Sequence, residues 1–244
     1  MYVRQAANAL QILEYFAGKG RPATAAEIAD DLGWPRSSTF KLVGTLAAKG
    51  YLYEPQARGR HYPSPRWLEL AQKVAHSDPL PADLQRLLSQ LVQATGETVA
   101  ISAPAGASAM FMEVAESRQA VRYIARVGDQ VPIHASSAGR ALLAQMSLEE
   151  RQILYRRIDF LPYGQTTPTS PDQVEAELQA ALTRGYHQSN AEYTPDLAGV
   201  AMPLADPSRR LSVVVVGPVS RCLDRRPELA AMLAQHIEAL PHRA

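Results

Sequence analysis

The sequence predicts an α+β chain in two folded parts with a short connector between them. Three observations carry this reading. Between Ala25 and Arg60 an apolar helix stops at Gly33, Trp34-Pro35 opens a second, and Lys49-Gly50 leads into an aromatic strand and a basic turn. Ser77-Asp-Pro-Leu-Pro81 then sets two prolines within three residues, which a helix does not continue through. Beyond that break, strand-like and helix-like stretches follow in mixed order, as expected of a sheet with helices on one side. The parts are therefore a head over residues 1–62, a linker helix and hinge over 63–82, and a body over 83–244.

Composition narrows the function classes. A chain of 244 residues with 46% hydrophobic content makes one or two domains with an ordinary core. No run approaches the roughly 18 apolar residues of a membrane span, and Met1 leads into a helical pattern instead of an apolar signal region, so a cytoplasmic protein is expected. A single Cys222 rules out an internal disulfide and any multi-Cys zinc site. The six His form neither an i, i+4 pair nor His-Glu-x-x-His, and no Gly-rich phosphate loop is present, so neither metal nor cofactor is expected. Residues 1–62 hold eight Lys/Arg against five Asp/Glu, whereas the other 182 hold 17 against 19. The head is thus +3 and the rest −2, the asymmetry of a nucleic-acid-binding head on a near-neutral body.

In the head, Val3, Ala6, Ala7, Leu10, Leu13 and Phe16 recur at helical spacing, and Gly18 and Gly20 end that helix. Thr24-Ala-Ala-Glu27 has the form of a capping box, in which the Thr hydroxyl accepts from the amide three residues on and Glu27 reaches back. The helix it starts turns Ile28, Ala29 and Leu32 inward. Pro35 sits where a missing N–H costs nothing. The next helix presents Arg36, Ser37, Ser38, Thr39 and Lys41, with Phe40, Leu42, Val43 and Leu46 as its packing side. In a helix-turn-helix the start of the second helix enters the major groove. Short hydroxyls suit phosphates and either kind of base there, and Arg suits guanine. Tyr51-Leu-Tyr53 and Arg60-His-Tyr62 alternate as two strands of a wing, with Arg58 and Arg60 placed to reach the DNA backbone or minor groove.

Pro63 and Pro65 break the second wing strand, and Arg66 to Ala75 reads as the linker helix, with Trp67 packing against the head or a partner subunit. In the body, Leu84 to Val92 marks a helix closed by Gly96. Glu97–Ser102 and Ala109–Val114 read as a hairpin and Val121–Val127 as a third strand. Ala138–Gln145, a helix capped by Ser147-x-x-Glu150, and Val174–Leu182 follow. Strands are expected at Tyr186–Asn190, Val200–Leu204 and Leu211–Val216, with a last helix over Glu228–Leu240.

The run Glu27-Ile-Ala-x-x-Leu-Gly-x-Pro-Arg-Ser-Ser-x-x-Lys-Leu42, then Leu46-x-x-Lys-Gly-Tyr51, resembles the winged helix-turn-helix of the IclR family of bacterial transcriptional regulators. The body agrees. Gly96-Glu-Thr98, Arg126-Val-Gly-x-x-Val-Pro-Ile-His-Ala-Ser-Ser-Ala-Gly-Arg-Ala-Leu-Leu-Ala144, Glu192-Tyr-x-Pro195 and Val216-Gly-Pro218 are similar to the family's blocks in the same order. The chain departs just after the wing, where Tyr62-Pro-Ser-Pro-Arg-Trp67 stands in place of the usual Leu-Gly pair. The resemblance implies a GAF-like effector-binding domain, a homodimer or homotetramer, a palindromic double-stranded DNA operator, no membrane association, and a ligand-responsive regulator expected to control a catabolic operon.

It also implies a pocket. In members that bind small acids the carboxylate lies near the Val-Gly-x loop, here Gly128 and Asp129, whose loop amides could hold an anion. An acid, a Cys and two Ser supply the other contacts, and at those positions this chain has Ser189, Gly199, Val214 and Val216. Val214 and Val216 alternate and so share one face of their strand. Losing the hydroxyls would leave a polar α-keto acid underpaired by ~1–3 kcal/mol per group. A larger acid with an apolar or aromatic body suits this pocket better, with Met110, Met112 and Met202 as candidate lining and His134 and Ser136 beside it. Two alternatives stay open: a pocket filled by its own Val and Met side chains, and a hydrolase using Ser136 or Ser137 with His134. The second lacks a Gly-x-Ser-x-Gly elbow and an acid to orient the His.

Overall fold

The helices start and stop where the sequence supplies caps. In the computed structural model, which describes residues 3–56, 59–77 and 80–241 (the side chain of His76 excepted), α1 spans Arg4–Lys19 and ends at Gly20 in the left-handed region. The Thr24 capping box is formed: Thr24 Oγ1 accepts from the Glu27 amide at 3.1 Å and the Glu27 carboxylate from the Thr24 amide at 2.8 Å. It starts α2 (Ala25–Leu32), which Gly33 closes at φ 67°. Pro35 caps α3 (Arg36–Ala48) from one residue outside. Ile12, Phe16, Ile28, Val43, Leu46 and Leu52 form the core beneath these helices. The wing strands β2 (Leu52–Gln56) and β3 (Arg60–Pro63) pair antiparallel, and a two-residue strand the sequence did not announce, β1 (Ala23–Thr24), joins the other edge of β3. Helix α4 (Arg66–Ser77) is fixed to this unit at its start, where the Trp67 indole N–H donates to the Tyr51 carbonyl at 2.8 Å and the two rings lie 4.6 Å apart. The chain divides into two units, Met1–Pro79 and Leu80–Ala244.

The second unit is built on a six-stranded antiparallel sheet, ordered β6-β5-β4-β9-β8-β7. Its strands are β4 (Thr98–Ala105), β5 (Ser108–Ala115), β6 (Gln130–Pro132), β7 (His187–Asn190), β8 (Leu197–Leu204) and β9 (Leu211–Pro218). Helices cover both faces, not one. Helix α5 (Ala82–Thr95) and α10 (Arg226–Glu238) pack with Val99, Ile101, Val213 and Val215 on one side. Helices α6 (Ser137–Leu143) and α8 (Pro171–Arg184) pack with Ala100, Phe111, Ala201 and Val214 on the other, beside the shorter α7 (Leu148–Tyr155). The cause is visible in β9, whose unbroken Val213–Val216 run is the pattern of a strand buried on both faces. Short α9 (Val219–Cys222) follows β9 and places Arg221 against the buried Glu97 carboxylate at 2.6 and 2.8 Å.

Residues 121–127 are not a strand. Alternation holds only at the centre, where Tyr123 and Ala125 turn into the core and Ile124 is exposed, while Val121 and Val127 are exposed at either end. The backbone, however, meets a side chain, with Thr98 Oγ1 donating to the Tyr123 carbonyl at 2.7 Å, and β6 takes the place beside β5.

Candidate functional sites

On α3 the buried positions are Thr39, Val43 and Leu46, spaced i, i+4, i+7. This register turns the helix from the expected one and exchanges two neighbours. Thr39, expected at DNA, is 1% exposed and donates its hydroxyl to the Pro35 carbonyl at 3.0 Å. Phe40, expected inside, is 56% exposed. Arg36, Ser37, Ser38 and Lys41 are exposed as expected, together with Gly44 and Thr45. The Arg36 guanidinium is held bidentately by Asp30 of α2, at 2.9 and 3.2 Å, which fixes its plane at the start of the helix. The Ser38 hydroxyl donates to the Pro35 carbonyl at 2.9 Å.

Arg60 is withdrawn from the wing surface. Its guanidinium donates to both Glu27 oxygens, at 2.9 and 3.1 Å, and to the Pro22 carbonyl at 3.0 Å, tying β3 to the α2 capping box. A side chain with three such partners is a strut of the head, while about a third of it stays exposed. Arg58 lies outside the described residues.

In the second unit, a small cavity, with about 60 Å³ open to the centre of a water-sized molecule, lies on the α6 face of the sheet. Its apolar walls are Phe111, Val131, Leu197, Val214 and Val216, with the rings of Tyr123 and Tyr193. Polar groups come from Ser136 and Ser137 at the start of α6, Ser189 on β7, and Glu192 and Thr194 in the β7–β8 turn. Gly199 is not in the wall but lies behind it, where an added Cβ would sit 3.2 Å from Ser137 Oγ and 3.4 Å from Ser189 Oγ. The structure thus brings Ser136, Ser189, Val214 and Val216 together in the wall, with Gly199 beneath the serines.

Four other expected residues are elsewhere. Met112 and Met202 pack on the opposite face of the sheet with the α5–α10 core, because the period-2 alternation of β5 and β8 points them away. They neither line nor fill the cavity. Gly128 and Asp129 are not in its wall, and their amides are engaged: Gly128 donates to the Phe111 carbonyl at 2.8 Å and Asp129 to that of Arg126 at 3.1 Å. They hold the tight turn, with Gly128 at φ 90°, in place of an anion.

Reading the sequence missed Phe111, Tyr123, Glu192, Tyr193 and a buried ion pair. Arg140, 1% exposed, donates to the Glu192 carboxylate at 2.6 and 3.0 Å, to the His134 carbonyl at 2.9 Å and to the Gln188 carbonyl. It locks α6 to the turn that carries Glu192 and Tyr193, and it neutralises the acid there. The signal was present in the Arg140 and Glu192 blocks, 52 residues apart, but nothing in a linear reading pairs them. None of the residues lining the cavity is Lys or Arg.

His134 is buried against Phe160 and Tyr163, with ring centroids 4.9 and 6.1 Å away, and neither ring nitrogen has a hydrogen-bond partner. Burial first, and the Arg140 charge second, push its pKa down to about 4. It is a neutral packing ring outside the cavity wall, not the pocket residue expected. Ser136 Oγ donates to the Pro132 carbonyl at 2.9 Å and accepts from the Gly139 amide at 3.1 Å, which makes it the α6 cap. No base therefore activates it, and the arrangement lacks the nucleophile–base contact of acyl transfer.

The sequence matches the family described as "Bacterial transcriptional regulator IclR C-terminal" over residues 72–241 and the "IclR helix-turn-helix domain" over residues 5–55. Among curated proteins, the acetate operon repressor of Salmonella typhimurium is 28% identical over 236 residues, covering 95% of this chain and 86% of that protein. The transcriptional regulator BhcR of Paracoccus denitrificans is 28% identical over 239 residues, covering 97% and 85%. Two solved structures share the fold. The Thermotoga maritima IclR superposes with a TM-score of 0.76 at 21% identity, covering 97% of each chain. An IclR homologue from Microbacterium hydrocarbonoxydans complexed with 4-hydroxybenzoate superposes at 0.67 and 22% identity, covering 97% of this chain and 100% of that one.

Proposed function

We propose an effector class for this chain, which belongs to the IclR family of bacterial transcriptional regulators and is a ligand-responsive DNA-binding regulator. The effector is an aromatic or otherwise apolar-bodied organic acid, and the regulated genes serve its catabolism. The carrying observation is the lining of the α6-face cavity: an apolar and aromatic wall, with the hydroxyls of Ser137 and Ser189 grouped on one side above Gly199. An aromatic ring buries its faces against Phe111, Tyr123 and the two valines, and its acid end meets the hydroxyls beside the start of α6. A two- or three-carbon keto acid would leave that apolar wall uncovered. That a relative was solved with 4-hydroxybenzoate supports the same class.

On DNA, the exposed start of α3 enters the major groove, and two copies of the chain occupy a palindromic operator, as a dimer or a tetramer. Leu70 and Val74 stand exposed one turn apart on α4, an apolar strip that supports self-association.

The test is a thermal-shift titration of the full chain with 4-hydroxybenzoate and other aromatic acids, beside glyoxylate and pyruvate. Aromatic acids are expected to raise the melting temperature with concentration, and the keto acids are not, because only a ligand of the folded state stabilises it. Stabilisation by glyoxylate alone would refute the effector class. No stabilisation by any acid would favour a regulator that works without one.

A further inference from the structure

Phe40 is a large apolar side chain on the polar face of α3, 56% exposed and outside the core of the head. One turn further, at i+4 on the same face, stands Gly44. Glycine is the poorest helix former after proline, yet a Cβ at Gly44 would meet nothing within 4 Å, so no packing inside this chain calls for it. An exposed ring and an unexplained gap, side by side, describe a surface shaped for something outside the chain. Lys41 beside it is exposed with positive charge, which fits a neighbouring phosphate, and Arg36 is held by Asp30 at the helix start.

We infer that Phe40 reads a thymine in the major groove by packing its ring on the C5 methyl, and that Gly44 lets the groove wall approach α3 closely enough for that contact. Side chains on a helix lean toward its N-terminus, so the Phe40 ring projects toward Arg36 and Ser37, the end that meets base edges in a helix-turn-helix. The thymine methyl is the apolar mark that the major groove offers, and an aromatic side chain is among its readers. The inference rests on DNA binding by the head and adds to it a base and a chemical group.

The experiment enriches a random-sequence duplex pool on the full-length protein. Each thymine of the recovered site is then replaced singly by deoxyuridine, which removes the C5 methyl alone. At one thymine in each repeat, the parent protein is expected to lose about four-fold in affinity, the worth of one buried methyl. Phe40→Ala is expected to bind thymine and deoxyuridine sites equally, at a melting temperature little changed because the ring lies outside the core of the head. Gly44→Ala is expected to weaken binding while the melting temperature holds or rises. The proposal is overturned if no deoxyuridine substitution affects the parent, or if Phe40→Ala retains the full loss. It is also overturned by a pool that yields bound DNA of no preferred sequence. Phe40→Ala altering the oligomeric state while deoxyuridine sensitivity persists would place the ring at a protein contact instead. Failure of the parent to bind any DNA would bring down the role of the head itself.

Discussion

Thr39 and Phe40 show how little separates an inward from an outward residue on a recognition helix. A shift of one position rotates a helical side chain by about 100°, and Thr39 rather than Phe40 takes the core-facing place. Polarity favours the opposite choice; Thr39 is accepted because its hydroxyl finds the Pro35 carbonyl one turn back. Thr39→Val is therefore expected to cost the head about 0.5–1.5 kcal/mol, the worth of one hydrogen bond. Sequence preference on DNA should stay unchanged; a changed preference would return Thr39 to the interface. His134 yields a second residue-scale expectation. Its pKa falls from 6.5 unfolded to about 4 folded, so between those values the unfolded chain binds the extra proton. Stability is full above pH 6.5 and declines as the pH falls toward 4. At pH 5 this group accounts for roughly 2 kcal/mol of that loss. His134→Phe, whose ring suits the same aromatic surroundings, should flatten the loss of stability between pH 7 and 5 by about that amount. Comparison with the parent isolates His134 from His187, whose pKa burial also pushes down to about 4, and from Glu192, whose carboxyl burial pushes up. Equal slopes in parent and variant would show that the ring is protonated without penalty.

At the scale of elements, what the sequence disclosed and what it hid follow from the range of the interaction. Capped helices were legible because a cap is local: Thr24-x-x-Glu27 and Ser147-x-x-Glu150 each close within four residues. Period alone misled at residues 121–127, since alternation records which side chains are buried and not what the backbone pairs with. Met112 and Met202 were misplaced for a related reason: the face of a sheet that a residue occupies depends on which helices cover it. Arg140–Glu192, the pair that fixes the cavity wall, joins elements 52 residues apart and was out of reach of any local pattern. Two glycines on the cavity side test the packing directly. A Cβ at Gly139 of α6 would sit 2.1 Å from the Ile133 carbonyl oxygen, an immovable backbone neighbour. Gly139→Ala should cost on the order of 3 kcal/mol, the upper end of overpacking, read as a lowered denaturation midpoint. At Gly199 the nearest backbone atom is 3.0 Å away and the other neighbours are two hydroxyls able to turn. Gly199→Ala should therefore fold with a smaller loss, while its methyl displaces the Ser137 and Ser189 hydroxyls and weakens binding of the aromatic acid.

At the scale of the whole molecule, a regulator needs the cavity in residues 80–244 and the exposed face of α3 in residues 1–79 to exchange free energy. Thermodynamic linkage makes that exchange reciprocal. If the aromatic acid changes operator affinity by some factor, saturating operator must change affinity for the acid by the same factor, commonly about 5–150-fold. The first quantity is read by fluorescence anisotropy of labelled operator with and without the acid. The second is read by calorimetric titration of the acid with and without operator. Salt separates the two binding events. Operator affinity should fall steeply with salt, because phosphate contacts release counterions. The acid meets no Lys or Arg in the cavity wall, so its affinity for the free protein should change far less. Gly199→Ala supplies the decisive control. It should leave ligand-free operator affinity intact and weaken the response to the acid, since the substitution touches the Ser137 and Ser189 hydroxyls of the cavity wall and nothing on α3. A variant that binds operator as the parent does and still responds fully to the acid would mean that the effector acts from a site other than this cavity.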